Sequence, residues 1–187
     1  GMANGWDTLV NDSWEGRLNR CFAFWQNYKR RLVVNFEDDL ASLTGNTFEQ
    51  RLGLTVLIPT SPIPSHPSTR IIEETIQSVR ERLPKVEIFI MIDGIREQQM
   101  DRKSDYETYI RHLLWKCNHE WENVLPVLFE KHHHQAAMTR EVIHHVQTPN
   151  ILFVEHDTPL IGEIDFDGLV RAASDNNVNM IRLHHEA

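Results

Sequence analysis

The chain has only two cysteines, Cys21 and Cys117, far apart and outside any Cys-x-x-Cys pair. That pattern argues against a disulfide framework and a thiolate zinc centre, and it suits a reducing, cytoplasmic setting. Positive charge is also scarce. With 19 Lys and Arg against 27 Asp and Glu, the formal net charge is −8, so the mean field repels phosphate backbones and nucleic acid is not an expected partner. No apolar run approaches the roughly 20 residues of a membrane helix, so no membrane span is expected. The glycine signatures are missing as well: there is no Gly-x-Gly-x-x-Gly, no P-loop and no Gly-x-Ser-x-Gly. Their absence weighs against dinucleotide dehydrogenases, P-loop NTPases and nucleophile-elbow hydrolases. Gly1-Met2 reads as a cloning remnant, and the residues after it lack the basic-then-apolar order of a secretory signal.

What is present divides in two. Residues 1–50 read as an N-terminal helical extension, with Trp14, Phe22, Trp25 and Tyr28 largely on one helical side and Arg17, Arg20 and Lys29 interleaved. Ser13 can cap that helix, and Asp12 adds charge at its positive end. Packing onto the following domain is the first reading of the aromatic side; contact with a partner, an oligomer or a membrane surface is the other.

Residues 51–187 change to short apolar runs separated by helical periodicity, the pattern of buried parallel strands joined by crossover helices. The expected strands are Leu54 to Ile58, Val86 to Ile92, Val124 to Phe129, Ile151 to Glu155 and Met180 to Leu183. The expected helices are Ser68 to Arg82, Asp105 to His119, Gln135 to Val146 and Phe166 to Ser174. The fold class is therefore α/β, a mainly parallel sheet with helices on both faces. Such sheets bind ligands beyond the carboxyl ends of their strands. Those ends carry Pro59-Thr60-Ser61, Asp93-Gly94 and Glu155-His156-Asp157.

Each of these has a chemical and a bland reading. Glu155 and Asp157 can share one hard cation, manganese or magnesium, while leaving coordination positions for substrate phosphate; the alternative is a strand end with solvated acids. Asp93 can accept a hydrogen bond from a nucleobase or ribose, or simply begin a turn. Arg140, in a small-residue helix, can grip diphosphate oxygens, or pair on the surface with Glu141. His132-His133-His134 and His144-His145 lack zinc-ligand spacing, because adjacent side chains diverge, although one of the first three can reach a donor phosphate. His184-His185-Glu186 reads mainly as a polar terminus. The loop from Pro59 to Pro67 holds four prolines in nine residues and suits a stiff pocket wall.

Taken in order, Leu54-Thr55-Val56-Leu57-Ile58-Pro59-Thr60, Asp93-Gly94, Ala136 to Arg140 and Phe153-Val154-Glu155-His156-Asp157 resemble family 2 glycosyltransferases. Glu155 stands where that family usually has Asp, and His156 separates the two acids. The resemblance implies a Rossmann-like glycosyltransferase A fold and a nucleotide-sugar-binding domain over 51–187. It implies transfer of a hexose, with inversion, from a UDP- or GDP-sugar to an unidentified glycan, lipid or protein acceptor. By the same resemblance Pro59 and Thr60 line the nucleotide pocket, Asp93 contacts base or ribose, Arg140 and Glu155 hold the donor, and Asp157 with Glu155 holds the metal. No catalytic base is assigned. The family's acceptor region would lie beyond Met180 to Leu183, so a fragment of a longer enzyme is expected. A metal-dependent nucleotidyltransferase is a second enzyme reading, and a catalytically silent binding or assembly module is the rival from another class.

Overall fold

A computed structural model describes residues 52–175 and 178–183. The N-terminal extension and His184-His185-Glu186 lie outside the described residues.

The expected sheet forms around four strands: β1 (Leu54–Thr60), β2 (Glu87–Ile92), β3 (Val124–Leu128) and β4 (Asn150–Phe153). All pairings are parallel, in the spatial order β3-β2-β1-β4. Parallel strands need crossovers. Three helices supply them: α1 (Arg70–Arg82), α2 (Lys103–His119) and α3 (His134–Val142). A fourth, α4 (Phe166–Ala173), comes after β4 and is capped by Asp165, whose carboxylate accepts the Gly168 backbone N–H at 2.9 Å.

Chain direction decides which face each helix covers. The steps β1 to β2 and β2 to β3 run one way across the sheet, whereas β3 to β4 jumps back past β2 and β1. Right-handed crossovers therefore put α1 and α2 on one face and α3 on the other. The period-2 alternation of strand side chains matches this. Val56, Ile58, Ile88 and Ile90 cluster with Ile72, Ile76 and Val79 of α1 and with Tyr106, Tyr109 and Leu113 of α2. Leu57, Phe89 and Met91 cluster instead with Met138 and Val142 of α3. Phe166 brings α4 to the first face.

The expected strand from Met180 to Leu183 does not form; these residues are coil, and Met180 is 82% exposed. A four-residue run broken by Arg182, with no neighbouring strand to satisfy its backbone, stays outside the sheet. A short 3-10 helix over Glu97–Arg102, which apolar periodicity does not signal, leads into α2.

The reversal of direction between β1 and β4 is a topological switch point. In open α/β sheets it opens a crevice at the carboxyl edge.

Candidate functional site at the carboxyl edge

β4 ends at Phe153, and the last ladder bond runs from the Val154 N–H to the Leu57 carbonyl at 3.0 Å. The chain then leaves the sheet through Glu155-His156-Asp157. Three polar residues of α1 hold this segment and the stretch that follows it, up to Gly162. Thr75 Oγ1 donates to the His156 carbonyl at 2.8 Å, Ser78 Oγ accepts the Leu160 N–H at 2.8 Å, and Arg82 donates to the Gly162 carbonyl at 2.9 Å and 3.1 Å. Their spacing of three and four residues makes one stripe of the helix. It lies beside the apolar stripe Ile72-Ile76-Val79 that faces the sheet. Held this way, Glu155 and Asp157 are both exposed.

Pro59 and Thr60 are buried at the end of β1, so they form the floor of this edge rather than its rim. The Thr60 hydroxyl is 2.8 Å from that of Tyr109 on α2. One helical turn away, Tyr106 donates its hydroxyl to the Asp93 carbonyl at 2.8 Å. Burial pushes both tyrosines above the usual phenol range, so they stay protonated and can donate. His66, from the proline-rich loop, stacks on Tyr109 with ring centres 3.8 Å apart. Burial, with His156 adding repulsion, lowers His66 to about 4. The Ile63 N–H donates to its Nδ1 at 3.4 Å, whereas the buried Nε2 atoms of His66 and His156 have no hydrogen-bond partner among the described residues.

Asp93 is used differently from the expected nucleoside contact. It is 2% exposed. Oδ1 accepts the backbone N–H groups of Gly94 at 2.9 Å and His133 at 2.7 Å, while Oδ2 accepts the His134 N–H at 3.1 Å and lies 2.7 Å from His132 Nδ1. A carboxylate offers about four acceptor positions, and the chain's own donors fill them. Asp93 thus ties the β3–α3 loop to the end of β2. It holds His134 at φ 66, a backbone region uncommon for a residue with a side chain.

Arg140 makes no hydrogen bond or ion pair with Glu155, Asp157 or the His132–His134 loop among the described residues. It lies six residues into α3, about 9 Å along the axis from His134, and its side chain is 77% exposed with the Glu141 carboxylate 3.8 Å away. Gln135, in the first turn, is the α3 residue that arrives: its Nε2 donates to Glu155 Oε1 at 3.4 Å. His144 and His145 are exposed in a 3-10 turn after α3. The structure thus joins Glu155, Asp157, Gln135 and the His132–His134 loop above a floor of Pro59, Thr60 and two tyrosines.

No group of three or more His, Cys, Asp and Glu side chains that could hold a metal occurs among the described residues. Glu155 and Asp157 remain as a pair of exposed carboxylates. That donor set is too small for a closed zinc or calcium cage, but it fits magnesium or manganese, which take one or two carboxylates and complete their shell with water and substrate phosphate. No described helix is long and apolar enough to cross a membrane.

No protein-family model matches the chain, and no curated protein matches its sequence.

Proposed function

We propose that the chain binds a nucleotide-sugar together with a divalent cation at the carboxyl edge of its sheet and transfers the sugar to an acceptor hydroxyl. One observation carries the reading: an acidic pair, Glu155 and Asp157, stands exposed immediately after β4, beside the β1–β4 switch point of a parallel sheet. Manganese or magnesium held by that pair would neutralise charge developing on a departing diphosphate. Thr75 ties the acidic segment to α1, and Ser78 and Arg82 tie the residues after it, which limits the reorganisation needed on binding. Gln135 orients Glu155 from the opposite side. Arg140 has no part in this reading.

The test is calorimetric titration of uridine, guanosine, cytidine and thymidine diphosphate sugars into the full chain, with manganese and again with chelator. Saturable binding that needs the metal and is lost in Asp157→Ala is the expected result. Absence of binding by every donor would overturn the proposal in favour of a binding module without catalysis.

A further inference from the structure

We propose that His132 is the proton-accepting group of this site, with Asp93 as its positioning residue. The inference rests on the reading above, that a hydroxyl is deprotonated at the carboxyl edge, and it identifies the group that does it.

The geometry is that of a carboxylate-oriented imidazole. His132 Nδ1 lies 2.7 Å from Asp93 Oδ2, with the carboxylate 2% exposed and the imidazole side chain 30% exposed. An ionised carboxylate only accepts, so in the neutral ring the proton sits on Nδ1 and the lone pair on Nε2. Among the described residues nothing partners that Nε2. The anchor is itself fixed: the same carboxylate accepts the N–H groups of Gly94, His133 and His134, so one buried group sets both the loop path and the ring. Three residues after His132, Gln135 reaches Glu155, which links the imidazole's loop to the acidic pair. The titratable groups against the ring are Asp93, from the end of β2, and His134, whose ring stands perpendicular at 6.2 Å.

In the reaction, the acceptor O–H bond breaks as its proton passes to Nε2. The acceptor oxygen bonds to the anomeric carbon, and the carbon–oxygen bond to the diphosphate breaks, its electron pair leaving with the diphosphate. The imidazolium that forms faces the Asp93 carboxylate, which stabilises it without taking the proton, and solvent then removes that proton. Asp93 touches no reacting atom.

Two measurements on the full chain test this. In nitrogen-15 NMR of the histidine rings, the neutral form of His132 should carry its proton on Nδ1 in the wild type and be a mixture of tautomers in Asp93→Asn. A neutral ring carrying its proton on Nε2 in the wild type would overturn the proposal whatever the protein binds. The second measurement is manganese-dependent release of nucleoside diphosphate from the same panel of donor sugars, with water as acceptor. His132→Gln should lower the rate about 100- to 10,000-fold, the usual range for losing a general base, with donor affinity by calorimetry within twofold of wild type. Added imidazole should restore part of the rate in His132→Ala. Release undiminished in His132→Gln overturns this proposal alone. No release by the wild type overturns this proposal, and failure to bind any donor overturns the functional reading and this proposal with it.

Discussion

A Cβ added to Gly94 would lie 2.3 Å from the carbonyl carbon of Lys131, 2.6 Å from its oxygen and 2.7 Å from the His132 nitrogen. The end of β2 and the β3–α3 loop therefore touch backbone to backbone, and only glycine fits between them. Because the obstructing atoms are main chain, Gly94→Ala must push the loop off Asp93. Urea unfolding should show a loss of about 1–3 kcal/mol, the usual range for overpacking, and the His132–Asp93 contact should be lost from NMR spectra. A variant with wild-type stability and an unshifted loop would contradict this close contact.

Asp93→Asn probes the same junction without changing size. The amide turns one acceptor oxygen into a donor, which then faces either the N–H groups of Gly94 and His133 or that of His134. A buried donor set against donors costs about 2–4 kcal/mol. Amide exchange at His133 and His134 should rise in parallel with the drop in unfolding free energy.

His66 gives the fold a pH dependence of predictable sign. Its folded value, about 4, lies below the ordinary 6.5 because burial first, and then His156, disfavour the charged ring. Between these values the unfolded chain binds more protons than the folded one, so stability is fully present above pH 6.5 and is lost as pH falls towards 4. The slope from this one group is at most about 1.4 kcal/mol per pH unit. Denaturation midpoints recorded from pH 7 to 4 should fall more steeply for the wild type than for His66→Phe, which keeps a ring for Tyr109 to stack on. Identical slopes would remove His66 as the cause.

Thr75→Val removes the donor to the His156 carbonyl while keeping the shape of a buried side chain. The expected loss of stability is small, about 0.5–1.5 kcal/mol. Manganese affinity in the presence of nucleotide should fall by more than stability alone accounts for, because the acidic segment loses its hydrogen bond to α1. Unchanged affinity would mean that the segment holds its position without Thr75.

Much of the fold is legible in the sequence because burial on both faces leaves near-continuous apolar runs. Leu54 to Ile58 and Val86 to Ile92 read as strands for that reason, and the structure extends the first to Thr60 and starts the second at Glu87. The acids after β4 are visible because they end such a run. The use made of Asp93 is not legible: its partner His133 is 40 residues away, and nothing local to Asp93-Gly94 separates a ligand contact from an anchor for a distant loop. Helix composition says nothing of how far along α3 Arg140 stands, and its side chain lies exposed beside Glu141. Tyr106 and Tyr109, which read only as crossover-helix residues, do carry a signal. They are aromatic residues three apart on the sheet-facing side, each with a hydroxyl that burial obliges to find a partner. The stripe Thr75-Ser78-Arg82 has one too, in its helical spacing beside an apolar face.

Joint binding of a cation and a nucleotide by Glu155 and Asp157 can be read residue by residue from paramagnetic broadening by manganese. In proton–nitrogen spectra of the full chain with UDP, and separately with GDP, substoichiometric manganese should broaden the amides of 155–157 first and those of 132–135 next. That broadening should vanish in the Glu155→Ala, Asp157→Ala double variant, whose spectrum remains folded. Broadening centred elsewhere, or unchanged in the folded double variant, would contradict a metal–nucleotide site at this edge.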